Sequence, residues 1–215
     1  MLVIYHIEGR RSERVVWLCE EIGLAYDLKF EPGNLHVSLN AGREVNPLMP
    51  VFPTVIHDGE VLVESAAILQ LLHERHGEGH LAPAPASADY PKYLQWLHFA
   101  EGSAAPRFIT EFLLLKALQG DSPQPPLLKG HMGRSTLVLK YLDDHLSRRP
   151  YFGGGAFSLA DIMMHFPVSF VSTVARENLS TYPFLASWFT TIEDRPAFKR
   201  MRKAALPNDF VEAPS

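Results

Sequence analysis

Two adjacent polar residues, Glu64 and Ser65, separate an apolar strand pattern from an apolar helix pattern. A carboxylate such as that of Glu64 can accept hydrogen bonds from an ammonium group. A serine at the start of a helix lies beside unpaired backbone N–H groups and the positive end of the helix dipole, both of which favour a carboxylate. The pair therefore has the chemistry to hold one cationic and one anionic group. A plain helix cap by Ser65 is the alternative interpretation.

The elements that must position this pair are a hairpin and a helix. Thr54–Ile56 is β-branched and apolar, Asp58–Gly59 is a strong turn signal, and Val61–Val63 suits the returning strand. Pro53 opens the first of these strands, at a position where no ladder donor is needed. Apolar residues with helical spacing follow Ser65 and predict a helix.

The first third of the chain predicts the remainder of the same domain. Leu2–His6 reads as a strand, and a helix that begins near Ser12 closes at Gly23. Ala25–Phe30 alternates like a second strand, and Glu31–Gly42 reads as a polar loop in a place where a helix or a loop would fit. The order of elements is that of a thioredoxin-like βαβ-ββα domain.

A glycine-, proline- and alanine-rich stretch, Gly77–Ala88, marks a domain boundary. The composition after it is helical, so the chain is predicted to be α+β, with an all-α C-terminal domain. The predicted division is a domain at 1–78, a linker at 79–88 and a helical domain at 89–215.

The helical domain contains three patterns of note. Tyr90–Leu118 predicts a long helix that Pro106 bends or breaks. Asp121–Pro126 predicts a loop, and Leu127–Leu146 a further helix. Ser158 and Asp161 have the spacing of a capping box, a folding device to which we assign no chemistry.

These motifs together resemble those of the bacterial cytosolic glutathione S-transferases over nearly the whole chain. The resemblance rests on Phe52-Pro53, Glu64-Ser65 and the end of the first helix at Trp17–Leu24. It implies that the peptide before Pro53 is cis, that Phe52 lends backbone groups to the cysteinyl unit of glutathione, and that Glu64-Ser65 holds the γ-glutamyl end.

The loop before the strand departs from the family pattern. It is one residue longer than the family's usual spacing, which leaves Pro50 as an alternative site for the cis peptide. The resemblance also implies that His36 or Asn34 contacts the glycyl end of glutathione, and we take His36 as the candidate.

A second departure concerns the group that ionises the glutathione thiol. The family places a tyrosine, serine or cysteine at the end of the first strand or the start of the first helix, and the usual serine or cysteine position falls here on Gly9 or Arg10. Ser12 is the candidate hydroxyl donor, with a helix cap as its alternative role. Arg11, together with Arg10, could favour a thiolate by charge alone. Tyr5 lies within the strand and is interpreted as a packing residue.

The resemblance implies an enzyme that conjugates glutathione, its cosubstrate, to small hydrophobic electrophiles or reduces hydroperoxides. Arg107 and Phe108 on the long helix are candidates to bind the electrophile, with helix packing as the alternative for Phe108. The family also implies a homodimer. A non-catalytic glutathione-binding or interaction module of the same fold is the alternative function, because the expected hydroxyl is missing.

Composition bounds the other classes of function. The chain has 215 residues, 47% hydrophobic and 20% charged, with a net charge of −4, which does not favour nucleic acid or an anionic membrane surface. The single cysteine, Cys19, lies in an apolar stripe and is expected to be buried and inert. His73 and His76 lack a third ligand nearby, so no metal site is predicted. These features are consistent with the cytosol.

Overall fold

The computed structural model describes residues 1–117 and 133–210. The chain forms two compact units, Met1–Leu81 together with the segment from Ile192 onward, and Ala82–Thr191. The predicted division kept the end of the chain with the helical domain, whereas internal contacts group it with the first unit.

The elements of the first unit are a mixed sheet and the helices beside it, and those of the second unit are helices. In chain order they are β1 (Leu2–Tyr5), α1 (Glu13–Ile22), β2 (Tyr26–Lys29), α2 (Leu35–Val45), β3 (Thr54–His57), β4 (Glu60–Leu62), α3 (Ser65–His76), α4 (Tyr90–Phe99), a π-helical segment (Ala100–Ala104), α5 (Ala105–Ala117), α6 (Arg134–Leu146), α7 (Leu159–Ser169), a second π-helical segment (Phe170–Val174), a 3₁₀ turn (Leu179–Thr181), α8 (Pro183–Glu193), α9 (Pro196–Ala205) and a final 3₁₀ turn (Pro207–Phe210).

The sheet of the first unit has the strand order β2-β1-β3-β4. β1 pairs with β2 in parallel and with β3 in the antiparallel sense, and β3 and β4 form the predicted hairpin. Asp58 and Gly59 both have positive φ, as a tight hairpin turn requires. Leu2, Val3 and Ile4 are all buried, so both faces of the central strand are covered. The thioredoxin-like order of elements is confirmed.

α9 packs against α1 and so completes the first unit from the far end of the chain. The rings of Trp17 and Phe198 lie 4.8 Å apart, edge to face. Arg195 makes a bidentate ion pair with Glu21, at 2.7 and 2.8 Å. An apolar contact and a paired guanidinium therefore fix the last helix on the first one.

The predicted polar loop between β2 and β3 is wrong, because this stretch contains α2. The side chain of Asn34 caps the helix by accepting a hydrogen bond from Val37 N at 3.2 Å. The helix lacks an apolar buried stripe: Leu35 and Val37 are about half exposed, and the buried residues are Ser38 and Gly42. The usual periodic signal of a helix is therefore missing from the sequence.

The long helix predicted for the second unit is interrupted earlier than expected. A π-helical segment, closed by the hydrogen bond from Ala105 N to Ala100 O, separates α4 from α5 and directly precedes Ala105 and Pro106. α6 confirms the end of the helix predicted to finish at Leu146. The predicted loop at Asp121–Pro126 and the first part of the helix predicted from Leu127 lie outside the described residues.

The predicted capping box is present at the start of α7. The carboxylate of Asp161 accepts hydrogen bonds from Ser158 N and Oγ, and also from Phe152 N and the indole Nε1 of Trp188, all at 2.9 Å. Its pKa is raised from 3.8 to about 6, because burial outweighs these hydrogen bonds. The residue therefore ties three segments of the second unit together.

Candidate functional site

One edge of the sheet brings two predicted parts of the site side by side. Tyr5, the last residue of β1, pairs with Thr54, the first residue of β3. Because the two strands are antiparallel, the turn that leads from β1 into α1 and the residues just before β3 leave the sheet at the same edge. The peptide bond between Phe52 and Pro53 in this position is cis.

The start of α3 is the third part. Glu64, rather than Ser65, is the residue that precedes the helix, and Ser65 is its first residue, so the predicted cap at Ser65 is one residue out of place. Glu64 has φ 71° and ψ 99°, an uncommon conformation for a residue with a side chain. Its side chain is exposed, whereas Ser65 is buried.

Arg14 is a site residue that the sequence analysis missed. It is only 2% exposed, and its Nη1 donates a hydrogen bond to Ser65 Oγ at 3.0 Å. A buried guanidinium below the first turn of α3 adds positive charge where the helix dipole is already positive, which favours an anion there. The sequence carried one signal for this role: Arg14 directly precedes Val15 and Val16 in an apolar stripe. A charged side chain at a buried position requires a partner, so its place in the stripe indicated a buried polar contact.

The turn that leads into α1 contains a buried hydrogen-bond network. His6 is fully buried, with Nε2 2.8 Å from Ala205 O and Nδ1 2.8 Å from Ser12 Oγ. A carbonyl oxygen only accepts, so we assign the proton to Nε2, and Nδ1 must accept the hydroxyl proton of Ser12. Ser12 Oγ in turn accepts a hydrogen bond from Ile7 N at 3.1 Å. The hydroxyl of Ser12 is thus committed inside the protein.

The exposed part of the same turn carries charged side chains. Gly9 has φ 68°, and its N–H donates to Glu13 Oε1 at 2.6 Å. Arg10 Nη1 donates to Gly9 O at 3.1 Å. The pKa of Glu13 is raised from 4.5 to about 7, mainly by burial. The hydrogen bond from Gly9 and the nearby guanidinium groups lower this pKa, but by less than burial raises it.

Comparison with known proteins identifies the family. The family models for the N-terminal and C-terminal domains of glutathione S-transferase match residues 4–80 and 108–196. "Glutathione S-transferase 3" of Schizosaccharomyces pombe is 31% identical over 212 residues, which cover 92% of this chain and 85% of that protein. This chain belongs to the glutathione S-transferase family.

Solved glutathione S-transferase structures share the fold. One from Actinobacillus pleuropneumoniae has a TM-score of 0.82 at 23% identity and covers 99% of this chain and 97% of its own. A theta-class glutathione S-transferase from Xanthomonas axonopodis pv. citri, solved with glutathione bound, has a TM-score of 0.72 at 25% identity and covers 95% of this chain and 98% of its own.

The position of Ser12 does not support its predicted role as thiol donor. Its side chain is fully buried, and the two acceptors within reach of its hydroxyl, His6 Nδ1 at 2.8 Å and Ile7 O at 3.2 Å, both lie inside the protein. The alternative role also differs from the prediction, because the hydroxyl caps no N–H of α1 and instead joins β1 to the turn. In this glutathione S-transferase the hydroxyl holds the turn in place.

His36 lies on the exposed side of α2, where its Nε2 is 3.2 Å from the side-chain amide of Asn40. The same helix contacts Phe52 through Gly42: a Cβ at Gly42 would come within 2.3 Å of the ring. His36 precedes Gly42 by six residues, about 9 Å along the helix axis. Its contact with glutathione stays a prediction.

The two electrophile candidates have different surroundings in the second unit. Arg107 lines a cavity of about 230 Å³, together with residues such as Pro106 and Thr110. Phe108 is 1% exposed and belongs to the core of this unit. The prediction that Phe108 binds an electrophile is therefore corrected to its alternative, helix packing, since a buried ring cannot line an open cavity.

Cys19 is buried in α1, and burial raises the pKa of its thiol from 9.0 to about 12. The expectation of a buried and inert thiol is confirmed.

His73 Nε2 accepts a hydrogen bond from Leu81 N at 3.2 Å. Within residues 1–117 and 133–210, no helix is long and apolar enough to cross a membrane.

Proposed function

We propose that this glutathione S-transferase binds glutathione in its first unit and transfers the thiolate to small hydrophobic electrophiles, or uses it to reduce hydroperoxides. The observation that carries the proposal is the buried hydrogen bond between Arg14 and Ser65 at the start of α3, which places positive charge where an anionic group of glutathione would bind. Membership of the family supplies the class of reaction.

The γ-glutamyl end is proposed to bind at the start of α3. Its carboxylate would accept hydrogen bonds from Ser65 and the first N–H groups of the helix, with the buried Arg14 guanidinium adding positive charge beneath. Its ammonium group would donate to the exposed carboxylate of Glu64. Backbone groups of Phe52 would pair with the cysteinyl unit, and His36 would contact the glycyl end.

The thiol must then be ionised. A free thiol has a pKa of about 8.5, and lowering it by about two units requires roughly 2.7 kcal/mol in favour of the thiolate. Because the hydroxyl of Ser12 is committed to His6, we assign the positive charge to Arg11 and Arg10 and the hydrogen bonds to backbone N–H groups of the turn. Arg107 is proposed to contact a polar group of the electrophile.

An ultraviolet difference titration of the protein with glutathione, from about pH 5 to about pH 9, tests binding and activation together. Thiolate absorbance well below the free-thiol pKa supports the proposal. Calorimetry on the Glu64→Ala/Ser65→Ala double variant tests the binding site. Retained glutathione affinity in that variant would refute the site assignment.

A non-catalytic glutathione-binding module is the second candidate function. The observation that favours it is the turn itself, where Gly9 and Arg10 stand at the family's hydroxyl position and Ser12 is turned inward. Calorimetric binding of glutathione without any thiolate signal would support this function over catalysis.

The assembly and location are proposals from the family. We propose a homodimer in the cytosol that acts in detoxification. The molar mass in solution, measured by light scattering behind gel filtration, tests the dimer: a single 24.1 kDa species would contradict it.

A further inference from the structure

Proton removal from the glutathione thiol is the step for which the described residues offer no free hydroxyl at the expected position. This inference rests on the proposed function. Gly9 and Arg10 carry no hydroxyl, and the proton of Ser12 is donated to His6 Nδ1. A positive charge stabilises a thiolate but does not accept its proton, so a base in the same turn would complete the chemistry.

Glu13 is a carboxylate that the fold holds against this turn. It lies in the first turn of α1, and its Oε1 accepts the Gly9 N–H at 2.6 Å. That hydrogen bond holds the carboxylate against Gly9, one of the two residues at the family's hydroxyl position, in the turn that follows β1. One carboxylate oxygen is used by Gly9, and Oε2 is left for a further partner.

The charges that face Glu13 come from three elements. Arg10 belongs to the same turn, Arg202 to α9 and Asp209 to the final 3₁₀ turn. Arg202 and Asp209 pair with each other at 2.5 Å, so their effects on Glu13 largely cancel. Burial is the dominant influence and raises the pKa of Glu13 to about 7, close to the value of an effective base at neutral pH.

We propose that Glu13 accepts the proton of the glutathione thiol. In this step the S–H bond breaks, an O–H bond forms on the carboxylate, and the negative charge passes to sulfur. The sulfur electron pair then forms the bond to the electrophilic carbon, and the leaving group departs with its own bonding pair. Glu13 returns the proton to solvent before the next turnover.

The test compares Glu13→Gln with the wild type. The amide oxygen of glutamine can still accept the Gly9 N–H, so the turn is retained while the base is lost. We expect kcat with a model electrophile such as an aryl halide to fall about 10²-fold or more. The inflection near pH 7 in the pH–rate profile should disappear, and calorimetric affinity for glutathione should stay within a few fold.

Glu8→Gln is the matched control. Glu8 lies in the same turn, and its carboxylate accepts the Gly33 N–H at 2.7 Å. We expect its rate and pH profile to match the wild type. An unchanged rate and profile in Glu13→Gln would overturn the inference, as would a loss of glutathione affinity in that variant, which would assign Glu13 to holding the turn. Failure of the wild type to bind glutathione would instead refute the proposed function.

Discussion

Acidification from about pH 7.5 to about pH 5 should remove about 2 kcal/mol from the free energy of unfolding through His6 alone. Burial lowers the pKa of this imidazole from 6.5 to about 4, against the opposing effect of its hydrogen bond to Ala205 O. Between these two values the unfolded chain binds a proton that the folded chain excludes. The stability present above pH 6.5 is therefore lost as the pH falls toward 4, and the complete loss is about 3 kcal/mol.

The assay is urea unfolding of the wild type and His6→Gln at both pH values. Glutamine does not titrate in this range, and its amide can both donate to Ala205 O and accept the proton of Ser12. The free energy of unfolding should therefore fall by about 2 kcal/mol less in the variant than in the wild type. Equal losses in the two proteins would refute the assignment of His6 as a buried neutral imidazole.

Three further outcomes are expected. Asp161→Ala should lower the free energy of unfolding by about 3 kcal/mol or more in chemical denaturation, because buried backbone and indole N–H groups lose their acceptor. This loss exceeds that of a helix cap alone, which is about 1–2 kcal/mol, so a measured loss near 1 kcal/mol would contradict the prediction. Gly42→Ala should weaken calorimetric glutathione affinity by displacing the Phe52 ring, although alanine is the better helix former by about 1 kcal/mol; unchanged affinity would separate the ring from the site. Arg14→Met should lower glutathione affinity at least tenfold by removing the positive charge beside Ser65. An unaltered dissociation constant would show that this charge does not contribute to glutathione binding.

The hairpin and the helix after it could be predicted because each carries a local signal. Asp58-Gly59 specifies a tight turn, and the apolar residues of α3 repeat with helical spacing. The family resemblance implied a cis peptide, and the strand that directly follows Pro53 favoured this proline over Pro50. Only the helix start was misplaced by one residue, since Glu64 adopts a conformation that residue type does not favour.

α2 could not be predicted for a physical reason. It buries Ser38 and Gly42 and leaves Leu35 and Val37 half exposed, so hydrophobic periodicity carries no information about it. The signal that existed was Asn34, a good cap residue, but the preceding Pro32-Gly33 favoured a turn.

The interior of the site escaped prediction because its partners are remote in sequence. Arg14 pairs with Ser65, 51 residues away, and His6 pairs with Ala205, 199 residues away. No spacing rule connects such residues before the fold is known. The hydroxyl of Ser12 looked available for the same reason, since its acceptor is an imidazole buried by the last helix.

The bond between His6 and Ala205 has a consequence for the nascent chain. β1 is synthesised before α9, and the carbonyl that accepts the hydrogen bond of the buried His6 imidazole follows 199 residues later. The entire second unit is synthesised in between, so the first unit to be made is the last to be completed. A ribosome-stalled chain that ends before α9 should therefore hold its helical unit folded while its sheet remains open to proteolysis.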